Sequence, residues 1–166
     1  MARKDVDKGR RERRILVVED EPNMARLVEA NLKRQGYESV EKVGNLSLAM
    51  AKVTDRPSDL IILDIVLHRT TAAHISRQVY EREVGTGPHQ STLAFHKWLR
   101  RRRPTARTHV LFHTARVFME DLIPELNDSY TFYLHKTDNP LVLVAWVEKV
   151  FEKKIDGTIW DLTGPH

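Results

Sequence analysis

The sequence predicts an α/β fold, a three-layer sandwich around a five-stranded parallel sheet. Short apolar runs alternate five times with longer segments of helical spacing. The central runs, such as "LIIL" at 60–63, lack polar alternation, as expected of strands covered on both faces. At 166 residues, 41% apolar and 30% charged, the chain suits one globular domain able to bury a core. Right-handed crossovers then wind helices onto both faces of the sheet.

The elements follow in order. "RRILVVED" holds the first strand. "EPNMARLVEANLKRQG" is a helix opened by Pro22 and stopped at Gly36, with Met24, Leu27, Val28, Asn31 and Leu32 on one face. "YESVEKV" is polar and weakly alternating, which suits a sheet edge. "NLSLAMAKVTD" is a helix capped by Asn45, with Leu46, Ala49, Met50 and Val53 inward. The third strand spans 60–66. After a long segment, "STLAFHKWLRRRRP" is a helix capped by Ser91 and stopped before Pro104. Its apolar residues are Leu93, Phe95, Trp98 and Leu99. "HVLFHTA" is the fourth strand, "RVFMEDLIPELND" a helix interrupted by Pro124, and "YTFYLHK" the fifth strand. "NPLVLVAWVEKVFEKK" is the last helix, with Pro140 in its first turn.

Composition narrows the function. There is no cysteine, which excludes disulfides, thiol catalysis and zinc–thiolate sites. No run approaches the roughly 20 apolar residues of a membrane span, and "ILVV" is too short for a signal peptide, so a cytoplasmic protein is expected. The net charge of +4 has a local source. Residues 1–14 hold seven basic and three acidic groups, leaving 20 of each in 15–166. The first 14 residues are therefore expected to form a basic, disordered leader. "LRRRRP" at 99–104 reads as the solvated end of a helix, where cations suit the dipole.

With strand order 2-1-3-4-5, four strand ends meet in one cleft, where open α/β sheets carry their functional groups. The first strand ends in Glu19-Asp20, the third near Asp64, the fourth in Thr114-Ala115 and the fifth in Lys136. Converging carboxylates make a hard-cation site, and magnesium needs few protein ligands. A carboxylate beside a metal, a hydroxyl and an ammonium is placed to attack phosphorus. Each residue also has a plain structural reading: Asp20 as a helix cap, Thr114 as a strand-end hydroxyl, Lys136 as a solvated charge.

Taken together, "ILVVEDE" (15–21), "LIILDIVL" (60–67), "LFHTA" (111–115) and "YLHK" (133–136) resemble a response-regulator receiver domain of two-component signalling. The resemblance covers residues 15–154, with an insertion at about 68–90, and implies a flavodoxin-like fold. It implies that Asp64 is the phosphoacceptor and that Mg2+ is held by Asp20, Asp64, Glu19 through water, and the Val66 backbone carbonyl. Thr114 and the Ala115 amide would hold phosphate oxygens, Lys136 would pair with the phosphate, and Thr114 and Tyr133 would form the switch. The implied partners are a histidine kinase or phosphotransfer protein and a downstream protein target, with a homodimer through the last helices as a further option. No membrane partner is expected, nor is nucleic acid. Turnover would be limited to self-phosphorylation and autodephosphorylation on Asp64.

Three departures stand out. Thr137 replaces the proline that usually follows the lysine and usually makes a cis bond, which before threonine would cost about 2.5–4 kcal/mol. His68–Gln90 is much longer than the usual loop and is expected to control phosphodonor access. His113 and His135 precede Thr114 and Lys136, and are expected to be buried and neutral, bonded to each other or to backbone. The apolar start of the last helix would meet a partner or be covered by the tail 155–166 through Ile159, Trp160 and Leu162.

The expected function is a stand-alone receiver that signals through protein contacts. One alternative is a phosphorylation-independent pseudo-receiver, an interaction module of the same fold. Another is a nucleic-acid-associated protein using the basic leader. A haloacid-dehalogenase-type phosphatase also uses a strand-end aspartate, but needs a second acid where Val66 stands.

Overall fold

The computed structural model describes residues 9–65, 67, 90–115, 128–137, 139–152 and 160–161. The strands are β1 (Arg14–Val18), β2 (Ser39–Val43), β3 (Leu60–Leu63), β4 (His109–Thr114), β5 (Thr131–His135) and β6 (Trp160–Asp161). The helices are α1 (Pro22–Arg34), α2 (Leu46–Asp55), α3 (Gln90–Arg101) and α4 (Pro140–Glu152). The sheet order is β2-β1-β3-β4-β5-β6, and every pairing is parallel. The expected five-stranded order 2-1-3-4-5 is borne out. The two-residue β6 is an addition that pairs Trp160 with Tyr133 and Asp161 with Leu134. The tail therefore reaches the β5 edge.

Side-chain alternation along each strand divides the core in two. Leu16, Val18, Ile61, Leu63, Val110, Phe112 and Tyr133 pack with residues of α2 and α3. Ile15, Val17, Leu60, Ile62, Leu111, Phe132 and Leu134 pack with α1 and α4. This is the expected three-layer sandwich.

Local chemistry explains most boundaries. Pro22 opens α1, and Gly36 follows it at φ +92°, a left-handed position that favours glycine. Asn45 caps α2, its Oδ1 accepting from the Leu48 amide at 2.9 Å. The structure corrects several expectations. Leu27 is 47% exposed, and Ala25 takes the inward place on α1. Asn31 is buried because its Nδ2 donates back to the Leu27 carbonyl at 2.9 Å. β3 stops at Leu63 rather than 66, so Asp64 begins the loop. α3 already includes Gln90, placing Ser91 in its first turn. Residues 1–8, most of the insertion, the helix expected after β4, and Ile159 and Leu162 of the tail lie outside the described residues.

Residues 9–12 form a helical turn that bears on the body. Arg10 pairs with Glu148 at 2.8 Å and donates to the Gln35 carbonyl, and Arg13 stacks over Phe151 at 4.9 Å. In α4, Leu143, Val144, Trp146, Val147 and Val150 are buried, while Leu141 is exposed.

One polar network was not read from the sequence. Arg100 was expected to be solvated, but its guanidinium reaches inward. It donates to Asp128 at 2.7 Å, to the Thr108 carbonyl at 2.8 Å and to Thr131 Oγ1 at 2.9 Å. Thr131 Oγ1 donates to Asp128 at 2.8 Å, and buried His96 shares a 2.8 Å contact with that hydroxyl. Burial works against the Asp128 charge, yet His96, Arg100 and Thr131 outweigh it and hold the carboxyl well below the usual range. The cluster ties α3 to the start of β5. Removing one partner of a buried ion pair costs about 3–5 kcal/mol, and less where exposure remains. Asp128 keeps some exposure, so Asp128→Ala is expected to lower the unfolding free energy by about 2 kcal/mol in urea. Arg103→Ala should stay within about 0.5 kcal/mol of wild type.

Candidate phosphoacceptor site

The parallel ladder brings the strand ends to one level. The Glu19 amide donates to the Val43 carbonyl at 3.0 Å, the Asp64 amide to Val18 at 3.1 Å, and the Lys136 amide to Thr114 at 2.8 Å. Each residue just past its strand is thus anchored to the neighbouring strand. Their side chains meet beyond the sheet. Carboxylate oxygens of Glu19, Asp20 and Asp64 lie within 4.8 Å of one another.

Lys136 Nζ lies between two of these acids, donating to Asp64 Oδ2 and to Glu19 Oε2, each at 2.6 Å. Glu19 and Asp64 are buried, while Asp20 keeps partial exposure. Glu19 also accepts from the Glu21 amide at 3.2 Å. Burial pushes the Glu19 carboxyl up from the usual range, and the Lys136 contacts only partly oppose this. Burial also works against the Lys136 ammonium, but Asp64 and Glu19 outweigh it and its pKa is raised. Lys136 is the ammonium that two of the three clustered carboxylates share. An oxygen-only donor set with a partly open side fits a hard divalent cation such as Mg2+.

The expected residues therefore come together largely as read. Glu19, Asp20, Asp64 and Lys136 share the cluster. Thr114 ends β4 in the central sheet, fully buried, with His135 of β5 as its register partner. Ala115 follows it and is exposed. Tyr133 is buried on the α2–α3 side of the sheet. Val66 lies outside the described residues. The Lys136–Thr137 bond is trans, since no described peptide is cis, and Lys136 still reaches both acids.

The two histidines do not pair. His135 Nε2 lies 3.2 Å from the Ala115 carbonyl, a backbone contact on β5's neighbour. His113 is buried, and its pKa is lowered to about 4, first by desolvation and then by the charge of Lys136. Neutral burial matches the expectation for His113.

The family model for the response regulator receiver domain matches residues 15–88. That span includes Glu19, Asp20 and Asp64; Thr114 and Lys136 lie beyond it. The response regulator ArlR of Staphylococcus epidermidis is 26% identical over 150 residues, covering 90% of this chain and 58% of ArlR. The chain thus spans little more than half the length of that relative. The transcriptional regulatory protein ResD of Bacillus subtilis is 35% identical over 72 residues, 43% of this chain and 30% of ResD. Among solved structures, the chemotaxis response regulator CheY4 of Vibrio cholerae superposes with a TM-score of 0.63 at 23% identity. The match covers 83% of this chain and 98% of that one, and speaks to the fold.

The His113 shift has a sign that can be checked. Its folded pKa lies below the unfolded value near 6.5, so the native state binds fewer protons. Its contribution is complete above about pH 6.5 and is lost as pH falls towards 4. His113→Gln is expected to remove about 2–3 kcal/mol of the stability loss between those limits, seen by urea unfolding across pH. Parallel curves for variant and wild type would refute this.

Proposed function

We infer that this chain carries a response-regulator receiver domain, in which Asp64 accepts a phosphoryl group and so switches the domain between two states. Phosphorylation-based signalling is the general work of such domains. The reading carried here is specific to these residues, and the observation that supports it most is the 2.6 Å bridge from Lys136 to both Asp64 and Glu19.

In this reading an Asp64 carboxylate oxygen attacks phosphorus of a phosphohistidine on a kinase or phosphotransfer protein. The P–N bond breaks as the P–O bond forms, and the donor imidazole recovers a proton. Asp20, Asp64 and the Val66 carbonyl would hold Mg2+, with Glu19 acting through water. When bound, the ion neutralises charge on the phosphoryl oxygens. Lys136 moves from bridging two carboxylates to pairing with the phosphate. Thr114 and the Ala115 amide hold the remaining oxygens. Water later attacks phosphorus, releasing inorganic phosphate and restoring the carboxylate.

Thr114 and Tyr133 then carry the switch: Thr114 ends β4 beside the site, and Tyr133 lies buried on β5, three residues before Lys136. A hydrogen bond gained by Thr114 favours one arrangement of the β4 end over another. The output is a protein contact in the cytoplasm. A homodimer through the α4 side is one form of it, with Leu141 on its exposed face. The 68–90 insertion begins four residues after Asp64, where it would govern access of the donor.

A small phosphodonor with Mg2+ is expected to add one phosphoryl group to the wild type by intact mass, and none to Asp64→Asn. An unmodified wild type that also ignores beryllofluoride would favour the pseudo-receiver. Lys136→Ala is expected to slow phosphorylation about 100-fold or more, the scale for loss of one preorganised charge-stabilising donor. An unchanged rate would remove Lys136 from the mechanism.

A further inference from the structure

His113 has no part in the function described above, yet it stands in line with the phosphoacceptor. Parallel pairing sets Val18 beside Leu63 and Leu63 beside Phe112. One step further along, Glu19, Asp64 and His113 lie side by side on β1, β3 and β4, and the row continues to Leu134 on β5. Alternation sends all four to one face, because Val17, Ile62, Leu111 and Leu134 pack towards α1 and α4.

Lys136 belongs to the same face, two residues beyond Leu134, and its amide donates to the Thr114 carbonyl at 2.8 Å. Its ammonium nevertheless reaches Asp64 on β3 and Glu19 on β1. In the order β1-β3-β4-β5, about 10 Å separates β5 from β3. The lysine side chain therefore crosses over β4. His113 and Ala115 are the residues at the end of β4 on that face, and Ala115 offers only a methyl group. The polar group beside the crossing is thus the His113 imidazole. It is 8% exposed, and the charges of both Lys136 and Asp64 act on it.

Two hydrogen-bonding capacities are left over at this point among the described residues. An ammonium has three N–H donors, and Lys136 gives two of them to Asp64 and Glu19. A neutral imidazole keeps one lone pair, and the His113 ring makes no hydrogen bond among the described residues. A polar ring that is more than nine-tenths buried normally has a partner.

We propose that His113 is a positioning residue for Lys136. Its ring nitrogen accepts the third ammonium N–H when the carboxylate oxygens turn to a metal or to a phosphoryl group. This rests on the reading of Asp64 as phosphoacceptor. In the resting site two carboxylates hold the ammonium. Phosphorylation takes an anionic oxygen of Asp64 out of that set, and the ammonium needs another anchor to stay over the site. A further carboxylate would compete with the phosphate for the lysine and repel it. An aliphatic side chain would anchor nothing. A neutral acceptor holds one N–H and leaves two for phosphoryl oxygens.

The test follows phosphorylation of the full chain by acetyl phosphate with Mg2+. His113→Leu is expected to slow it about tenfold, the scale for a displaced charged group, with the donor concentration at half-maximal rate unchanged. His113→Gln, whose amide oxygen is also a neutral acceptor, should recover most of the rate. In the Lys136→Ala background, His113→Leu should change the rate by no more than about twofold. A merely structural role would slow both backgrounds alike. A second readout needs no phosphate. The Lys136 side-chain signals in NMR, assigned by their loss in Lys136→Ala, should move in His113→Leu when Mg2+ is present. Urea unfolding shows which variants are folded, and His113→Met replaces His113→Leu if the latter is not. A folded His113→Leu with an unchanged rate, equal slowing in both backgrounds, or unmoved Lys136 signals would overturn the proposal. A wild type that takes up no phosphate would instead defeat the reading of Asp64, and the Lys136 signals would then decide on His113.

Discussion

Everything at the functional end of this protein depends on one electrostatic constraint. Three carboxylates share one point, two of them buried, and one ammonium lies between the buried pair. Desolvation makes each charge costly, and mutual repulsion adds to the cost. Lys136 offsets part of it, which is why its own proton is held more tightly while Glu19 still titrates above its usual range. The clustered carboxylate oxygens fit a divalent cation. Such a cluster argues against a purely structural role. A buried acidic cluster kept only for stability would be better replaced by apolar packing.

The sheet is what makes that cluster possible. Parallel pairing in the order β2-β1-β3-β4-β5 places the carboxyl ends of β1, β3, β4 and β5 side by side. Two apolar cores, one on each face, hold the strands in register. The Asp128–Arg100–Thr131 network ties α3 to β5, so the strand that carries Lys136 is also braced at its start. The amino ends of the strands gather arginines in their turns.

Much of this was legible in the sequence. The apolar runs at 15–18, 60–63 and 110–112 could be read because strands buried on both faces leave little room for polar residues. Asp64 stood out for the same reason, as an acid directly after such a run. Asn45, Pro22 and Gly36 marked helix ends through local backbone chemistry. Other features were hidden because they depend on long-range contact. Nothing near Arg100 announces Asp128, 28 residues away, so a run of four arginines read as uniformly solvated. Leu27 kept helical spacing, but the inward face of α1 is set by the sheet, which took Ala25 instead. β6 is two residues long, too short for any periodicity to reveal.

We infer that the Glu19–Asp20–Asp64 cluster takes up a divalent cation. Thermal unfolding of the wild type and of Asp20→Asn, with and without Mg2+, tests it most directly. A ligand that binds only the folded state raises its stability by mass action. The midpoint is expected to rise with Mg2+ for the wild type, and much less for Asp20→Asn. A wild-type midpoint indifferent to Mg2+, or an equal rise in both proteins, would contradict it.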